Sequence, residues 1–572
     1  MDEVKVMNSL KDILNIKCEM YKDKIAFLEK DDKIKEFIPM TYGKLKEEIN
    51  GLGTIMIKKL GLKDEKIAVI GENSIKWYET YMTVVCGVGI IVPLDKELPE
   101  NEILNLLRRA GCKAIVYSSR KKEMVENIKD KLPKDMVLIE MGKEKSDIIS
   151  YSYNELLKEG CELVDTGEDE YIKAEIDRER FSILLFTSGT TAASKGVMLS
   201  HKNICANIYS AYNIVPMFGG YTCLSILPMH HTYEMTLTYL LMTNLGGTIA
   251  ICEGLKYVAK NIKEIKPDFL VAVPALIEVL SKKIDKKIKE QGKEKLVKTV
   301  SKIAGGLNKI GIDIRRNVFK EIHENFGGKL KYIFCGAAPL DKELAKKMES
   351  LGFTFLQGYG LTECSPLIAG NTLKDREYGT VGKAVYGDDI RIDLSENDDE
   401  NSNVGEIMVK GDNIFLGYYE DEKETKKVLK KGWFYTGDIG YFDLRGNLVI
   451  TGRCKNVIVT SNGKKIFPEE LENLLNRIDL IDESMVYGKE SSENKKEVIV
   501  TAKVTLNEEY IEEAYASTRP TNEEIYNMIW DEIKKINRTM VPYKAIKKLE
   551  IKDEGFIKTT TMKIKRFEEI KK

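Results

Sequence analysis

The sequence predicts an α/β fold. It reads as a large N-terminal domain of mostly parallel sheets with flanking helices, followed by an antiparallel subdomain and a small α+β C-terminal domain. Two observations carry this. Over the first few hundred residues, helical and strand patterns alternate with short links, which implies parallel pairing and right-handed crossovers. From about Gly379 the texture changes to short strands with tight turns: VGEIMVKGD, GWFYTGD, NLVITGR and NVIVTSNGKKIF. After Pro468 a compact α+β stretch runs to the end.

The elements follow in order. Leu45, Ile49, Leu52, Met56 and Leu60 recur at helical spacing, and Gly61 supplies a C-terminal stop. KIAVIGEN (66–73) reads as a strand and turn. Pro99 opens a second amphipathic helix through Ile103, Leu106, Leu107 and Ala110, ended by Gly111, and AIVYS (114–118) returns as a strand. Further strands are expected at ILLFTS (183–188), TCLSILP (222–228), GTIAIC (247–252), DFLVAVP (268–274), LKYIFCG (330–336) and FTFLQGY (353–359). Several end in Gly, Pro or polar residues, where ligands of α/β sheets sit. Between 281 and 330 lies a lysine-rich helical stretch, SKKIDKKIKEQGKEKLVKTVSKI. It reads either as a solvated face with snorkelling lysines or as a basic patch near anionic lipid or coenzyme A phosphate.

At 572 residues the chain is worth roughly three to four domain-sized units. Hydrophobic residues at 43% and charged residues at 31% describe a globular protein, not a disordered one. Lys plus Arg (89) nearly cancels Asp plus Glu (90), so charge supplies no reason to expect nucleic acid as a partner. Ten cysteines are scattered singly and only His230 and His231 of the four histidines are neighbours, which disfavours a disulfide frame or a metal cluster. The acidic, interrupted N-terminal stretch does not read as a signal peptide, and the longest apolar run, Thr83 to Leu94, is too short to span a bilayer. These readings lead to the expectation of a cytoplasmic protein that at most makes peripheral contact at the inner face of the membrane.

The chemistry-bearing segment is Phe186-Thr187-Ser188-Gly189-Thr190-Thr191-Ala192-Ala193-Ser194-Lys195-Gly196, which follows an apolar strand. Such a loop brings backbone N–H groups, hydroxyls and one ammonium close to phosphate oxygens. It is not a Walker A loop, since Gly-x4-Gly-Lys-Ser/Thr is absent. A second segment, Gln357-Gly358-Tyr359-Gly360-Leu361-Thr362-Glu363, combines glycines for close backbone approach, an aromatic stacking face, and a hydroxyl and carboxylate for phosphate and metal. Gly336-Ala337-Ala338-Pro339, Tyr435-Thr436-Gly437-Asp438, Gly452-Arg453-Cys454-Lys455, Ser461-Asn462-Gly463 and Ile557 to Arg566 (IKTTTMKIKR) follow downstream of the first loop, and Leu227 to Glu234 (LPMHHTYE) lies between.

Taken together and in this order, these motifs resemble the adenylate-forming (AMP-binding) superfamily, in particular the long-chain fatty acyl-CoA synthetases, over about residues 40 to 567. The resemblance implies a nucleotide- and acyl-binding domain over 1–454 and a mobile domain over 455–572. It implies that Thr187, Ser188, Gly189, Thr190, Thr191 and Lys195 hold phosphate. Gly336, Ala337 and Ala338 line the nucleotide and acyl pocket. Tyr359 and Gly360 pack on adenine, Thr362 contacts phosphate, and Glu363 holds magnesium. Asp438 and Arg453 bind ribose, Lys455 is the hinge, and Gly463 meets the pantetheine arm. Lys563 reaches the carboxylate and α-phosphate, and His231 lines the carboxylate end of the acyl pocket. Ala192 and Met562 replace glycines of the family pattern, and Ser194 and Ile557 replace prolines. The implied reaction joins a long-chain fatty acid to coenzyme A through an acyl-adenylate, with ATP and Mg2+. Two alternatives stay open: transfer to an acyl-carrier protein, or an acyl- or nucleotide-binding protein with weak catalysis, the latter motivated by Ala192, Ser194 and Met562.

Overall fold

A computed structural model describes residues 6–31, 33–187, 194–214, 220–309, 312–395, 403–460, 464–490, 498–516, 518–558 and 564–571. The chain divides into two compact units. The larger holds most of the chain to Ile390 together with Val409–Phe434, and the smaller holds Arg391–Met408 and Tyr435–Lys572.

Among the described residues the larger unit is built on two sheets. One runs in the order Lys383–Ala384, Leu367–Gly370, Thr354–Gly360, Tyr332–Cys335, Phe269–Ala272, Thr222–Ser225, Thr248–Ile251, Ile25–Lys30 and Phe37–Thr41. The other runs Gly417–Tyr418, Lys195–Ser200, Phe181–Thr187, Ile90–Pro93, Lys66–Ile70, Ala114–Tyr117, Val137–Glu140 and Tyr151–Ser152. Their interiors pair parallel. Antiparallel pairs lie toward the margins, at Phe181–Thr187 with Lys195–Ser200 and at Thr354–Gly360 with Leu367–Gly370.

The expected elements are present with trimmed ends. The first helix runs Tyr42–Lys58, capped by the Thr41 side chain, and buries Leu45, Ile49, Leu52 and Met56. The second runs Glu100–Ala110 and closes on Gly111 at φ 66°, a left-handed cap that suits glycine. Strands end before the prolines that cannot extend a ladder. The 222–228 segment stops at Ser225, and the 268–274 segment at Ala272, so that Pro274 starts the helix Pro274–Glu290. The antiparallel region begins at Asp389, later than Gly379, because Lys383–Ala384 belongs to the large sheet. Thr436-Gly437-Asp438 lies inside the strand Trp433–Phe442, with Gly437 at φ 72°.

In the smaller unit, Ile481–Glu490 and Val498–Leu506 pair antiparallel, and Lys548–Lys552 joins Val498–Leu506 in parallel. The helices Pro468–Leu475 and Asn522–Arg538 cover this sheet with Leu471, Leu475, Ile525, Ile529 and Ile533, all buried. No helix among the described residues is long and apolar enough to cross a membrane.

One helix contact constrains the larger unit sharply. A Cβ at Gly160 would stand 2.0 Å from the Gly51 carbonyl oxygen, so Tyr42–Lys58 and Tyr153–Asp165 touch backbone to backbone. Gly160→Ala is expected to cost about 1–3 kcal/mol by overpacking and to lower Tm in calorimetry. An unchanged Tm would show that the two helices separate freely.

Candidate functional site

The arms of the first loop are an antiparallel pair in which Thr187 faces Lys195. The Thr187 hydroxyl donates to the Lys195 carbonyl at 3.4 Å. Ser188, Gly189, Thr190, Thr191 and Ala192 lie outside the described residues. Lys195 Nζ donates to Glu424 Oε2 at 2.7 Å and stands 4.6 Å from the centroid of the Tyr418 ring. Glu424 sits in the first turn of Glu422–Val428, whose N-cap Asp421 accepts from the Glu424 N–H. Hydrogen bonds from Lys195 and then Lys427 hold its carboxyl low, at about 2.

Tyr418 completes the connection. Its short strand Gly417–Tyr418 pairs with Lys195–Ser200, and its hydroxyl donates to Glu363 Oε1 at 2.9 Å. Burial first, and the Glu363 charge second, push the Tyr418 phenol well above its ordinary range, so it stays a donor. Phe415 N–H adds a 2.8 Å bond to the Glu363 carbonyl. Thus Glu424, Lys195, Tyr418 and Glu363 form one chain of charge and hydrogen bonds linking two motifs far apart in sequence. The Ser194 position, proline in the family pattern, has contacts of its own. Its hydroxyl donates to Glu102 Oε1 at 3.2 Å, and Arg109 donates to its carbonyl.

The two glycine motifs leave neighbouring parallel strands, Tyr332–Cys335 and Thr354–Gly360. Ala337 adopts φ 69°, a left-handed conformation that turns the chain immediately after Gly336. Gly336 lies against the Tyr233 ring, which a Cβ there would approach to 3.0 Å. Tyr233 bridges the strand ends, its hydroxyl 3.2 Å from the Phe334 carbonyl and 3.3 Å from that of Ala272. Tyr359 is buried in the strand opposite Ala369, while Thr362 and Glu363 lie in the single turn Thr362–Cys364. At Gly360 a Cβ would come within 1.8 Å of the Pro366 carbonyl oxygen, the same oxygen that accepts from Leu361 N–H.

His231 is the N-cap residue of the helical run that begins at Thr232, and its ring packs 4.0 Å from that of His230. His230 Nε2 lies 3.5 Å from Asp95 Oδ2. Three residues on, Glu234 is fully buried and accepts from the Ser225 hydroxyl at 2.6 Å and from Thr238 at 3.1 Å. Burial pushes its carboxyl up to about 8. The other face of this run borders an apolar cavity of about 50 Å³ lined by Ile214, Tyr233, Leu237, Leu241, Val271 and Leu356.

The smaller unit carries the remaining candidates. Asp438 faces Arg453 across the hairpin, with Arg453 Nε 2.9 Å from the buried Asp438 carboxylate. Lys455 lies in the turn Cys454–Asn456 directly after that strand. Gly463, Lys563 and Met562 lie outside the described residues. The segments flanking 559–563 are tied down. Lys558 pairs antiparallel with Ile564 and reaches Glu483 at 2.6 Å, and Arg566 donates to Val486 O at 3.0 Å and to Glu472.

No group of three His, Cys, Asp or Glu side chains suited to a metal occurs among the described residues. Magnesium that arrives on a nucleotide needs only one or two carboxylates, so Glu363, one oxygen of which is occupied by Tyr418, fits that role and not a protein-built cage. Sequence reasoning missed Tyr418 and Glu424. Glu424 lies 229 positions from Lys195, and a tyrosine beside an acidic helix start carries no local mark of its partner.

A family model described as AMP-binding enzyme matches residues 14–419, and one for the AMP-binding enzyme C-terminal domain matches 455–570. A long-chain-fatty-acid–CoA ligase 5 of Rattus norvegicus is 29% identical, over 78% of this chain and 69% of that protein. A chloroplastic long-chain-fatty-acid–[acyl-carrier-protein] ligase, AEE15, of Arabidopsis thaliana is 28% identical, over 84% of this chain and 74% of that protein. Among solved structures, the anthranilate CoA ligase AuaEII in complex with anthranoyl-AMP aligns with a TM-score of 0.78 at 18% identity, covering 99% of this chain and 97% of its own.

Two outcomes follow from the site's packing. Gly360→Ala drives a Cβ into backbone, and a loss of several kcal/mol is expected on thermal unfolding, of the order of other severe overpacking. A variant as stable as wild type would mean the Pro366 segment yields. For Glu234 the native value of about 8 lies above its ordinary 4.5. The folded state therefore binds the extra proton, and its contribution, complete below about 4.5, is lost as pH rises through about 8. Unfolding free energies of Glu234→Gln measured across that window should fall less with pH than those of wild type. Parallel curves would remove Glu234 as the titrating group.

Proposed function

The chain belongs to the AMP-binding enzyme family and is an adenylate-forming acyl ligase; from that premise we propose that it activates a long-chain fatty acid with ATP and passes the acyl group to coenzyme A. The observation that supports the reading best is the Lys195–Tyr418–Glu363 connection, which sets a phosphate-binding cation beside a magnesium-competent carboxylate at the ends of the sheet strands.

A carboxylate is a poor electrophile, and attack of its oxygen on the α-phosphate of ATP gives a mixed anhydride with pyrophosphate leaving. A thiol then attacks the acyl carbon and AMP leaves. The work of the protein is positioning and charge stabilisation. In this reading Lys195 and the Thr187–Thr191 hydroxyls and amides hold the phosphates, and Thr362 adds a hydroxyl. Magnesium, held by Glu363 when bound, supplies further positive charge. Glu424 neutralises Lys195 before the nucleotide arrives and must release it. Gly336, Ala337 and Ala338 keep the wall thin, Tyr359 and Gly360 offer adenine a flat surface, and Asp438, oriented by Arg453, accepts the ribose hydroxyls. His231 lies at the carboxylate end of the acyl site. Lys563 stabilises charge in adenylation, Lys455 is the hinge for the second step, and Gly463 meets the pantetheine arm. The mobile domain runs 455–572, after a nucleotide- and acyl-binding domain over 1–454.

The long-chain assignment draws on the relatives and on the apolar cavity beside Gly336. Tyr233, Leu237 and Leu241 give that cavity an apolar wall suited to methylenes. A second reading, with an acyl-carrier protein as acceptor, is favoured by the Arabidopsis relative.

The test is AMP release with ATP, magnesium, a fatty acid series and either acceptor. Each methylene buried in an apolar channel contributes about 0.8 kcal/mol, roughly a factor of four, so kcat/KM should climb from acetate to a plateau at long-chain acids. A maximum at acetate or at an aromatic acid would overturn the chain-length assignment and leave adenylation standing. Thioester with the carrier protein alone would favour the second reading.

Lys563→Ala separates the steps. Adenylate formation should fall by several orders of magnitude while synthetic acyl-adenylate plus coenzyme A still gives thioester. Equal loss in both steps removes Lys563 from the assigned role.

A further inference from the structure

Residues 281–309 carry ten lysines against three carboxylates in a chain whose net charge is −1. The helices Pro274–Glu290 and Glu294–Lys309 deliver this charge to solvent. Both are anchored to one apolar cluster, the first through Ile277, Leu280 and Ile284, the second through Val297 and Val300. Their opposite faces are open. On the first, Val279 is 49% exposed, with Lys282, Lys283 and Lys286 three, four and seven positions on, spacings that place them beside it on the helix. On the second, Leu296 and Ile303, two turns apart, are each 59% exposed. Lys295 and Lys302 directly precede them, and Lys298 lies on the same open side. Among the described residues none of these six lysines forms an ion pair with a carboxylate, while Lys287 is near enough to Glu321 to help hold its carboxyl down. Of the three acids in the segment, Asp285 is neutralised by Lys347.

A merely solvated helix pair would mix charge signs and keep leucine and isoleucine inside. Here one sign is concentrated and branched aliphatics stand among the lysines. Lysine stems spread outward while aliphatic side chains enter the headgroup and acyl boundary, an arrangement that suits an anionic lipid surface. Nucleic acid is disfavoured, since the segment has no arginine and no aromatic residue to stack on bases. We propose that the open faces of Pro274–Glu290 and Glu294–Lys309 form a docking surface for an anionic phospholipid bilayer, with Leu296 and Ile303 as the inserting side chains. This surface goes beyond the proposed ligase activity and stands whether or not the acid is long-chain.

The test is sedimentation of the purified full chain with vesicles, either of equal parts phosphatidylglycerol and phosphatidylcholine or of phosphatidylcholine alone. Wild type should pellet with the anionic vesicles, not with the neutral ones, and salt should release it. The double variant Leu296→Asp, Ile303→Asp should bind at least about tenfold more weakly, as should Lys295→Glu, Lys298→Glu, Lys302→Glu. Both should keep wild-type circular dichroism and wild-type AMP release with a water-soluble acid, since these residues lie outside the proposed reaction site. Equal binding to both vesicle types, or none, overturns the proposal. So does full binding by the aspartate variant when lysine reversal abolishes it, because that pattern is surface charge without insertion and fits an acidic macromolecule instead.

Discussion

A lysine that is four-fifths buried has to be neutralised where it stands, and Lys195 is that residue. Removed from most of its water, its ammonium is held by the Glu424 carboxylate and the face of Tyr418. Tyr418 in turn spends its hydroxyl on Glu363. The position of each group follows from a backbone pairing: Lys195 from the antiparallel return beside Phe181–Thr187, Tyr418 from the strand beside Lys195–Ser200, Glu424 from the helix that starts just after it. The convergence of the motifs depends on this one compensation of charge.

The same demand shapes the surroundings. The carbonyl ends of Phe269–Ala272 and Tyr332–Cys335 are partly satisfied by one phenol, that of Tyr233, and Gly336 is the residue that leaves room for its ring. Gly360 lets the chain pass under Pro366, so that Thr362 and Glu363 emerge within a single turn. Glu234 has no ion pair among the described residues; it is held by hydroxyls, and burial raises its carboxyl to about 8. Charge is favoured at Glu424, where Lys195 and Lys427 stand beside it, and disfavoured at Glu234, where burial raises the carboxyl.

One departure from the family pattern, at Ser194, is locally accommodated. Ser194, where a proline is expected, binds Glu102 and receives Arg109, tying the end of the loop to the helix Glu100–Ala110. That is a different means to a similar end, since proline stiffens by fixing φ and Ser194 by hydrogen bonds. In the smaller unit, Lys558 and Arg566 anchor the two sides of the segment that carries Lys563.

The alternation of helix and strand, the apolar stripe of Tyr42–Lys58 and the glycine stop after Glu100–Ala110 were legible in the sequence because each is set by neighbours a few residues away. So was the family, through the order of Thr187–Lys195, Tyr359–Glu363, Asp438 and Arg453. Sheet membership was less legible, as after Gly379, where pairing with Leu367–Gly370 places Lys383–Ala384 in the large sheet. Tyr418 and Glu424 were invisible, because a salt bridge spanning 229 positions is a product of sheet order and leaves no periodicity behind. The raised carboxyl of Glu234 likewise depends on burial, which the chain acquires only on folding. Local backbone and side-chain preferences determined the elements and the motifs, and long-range packing alone decided which charges meet.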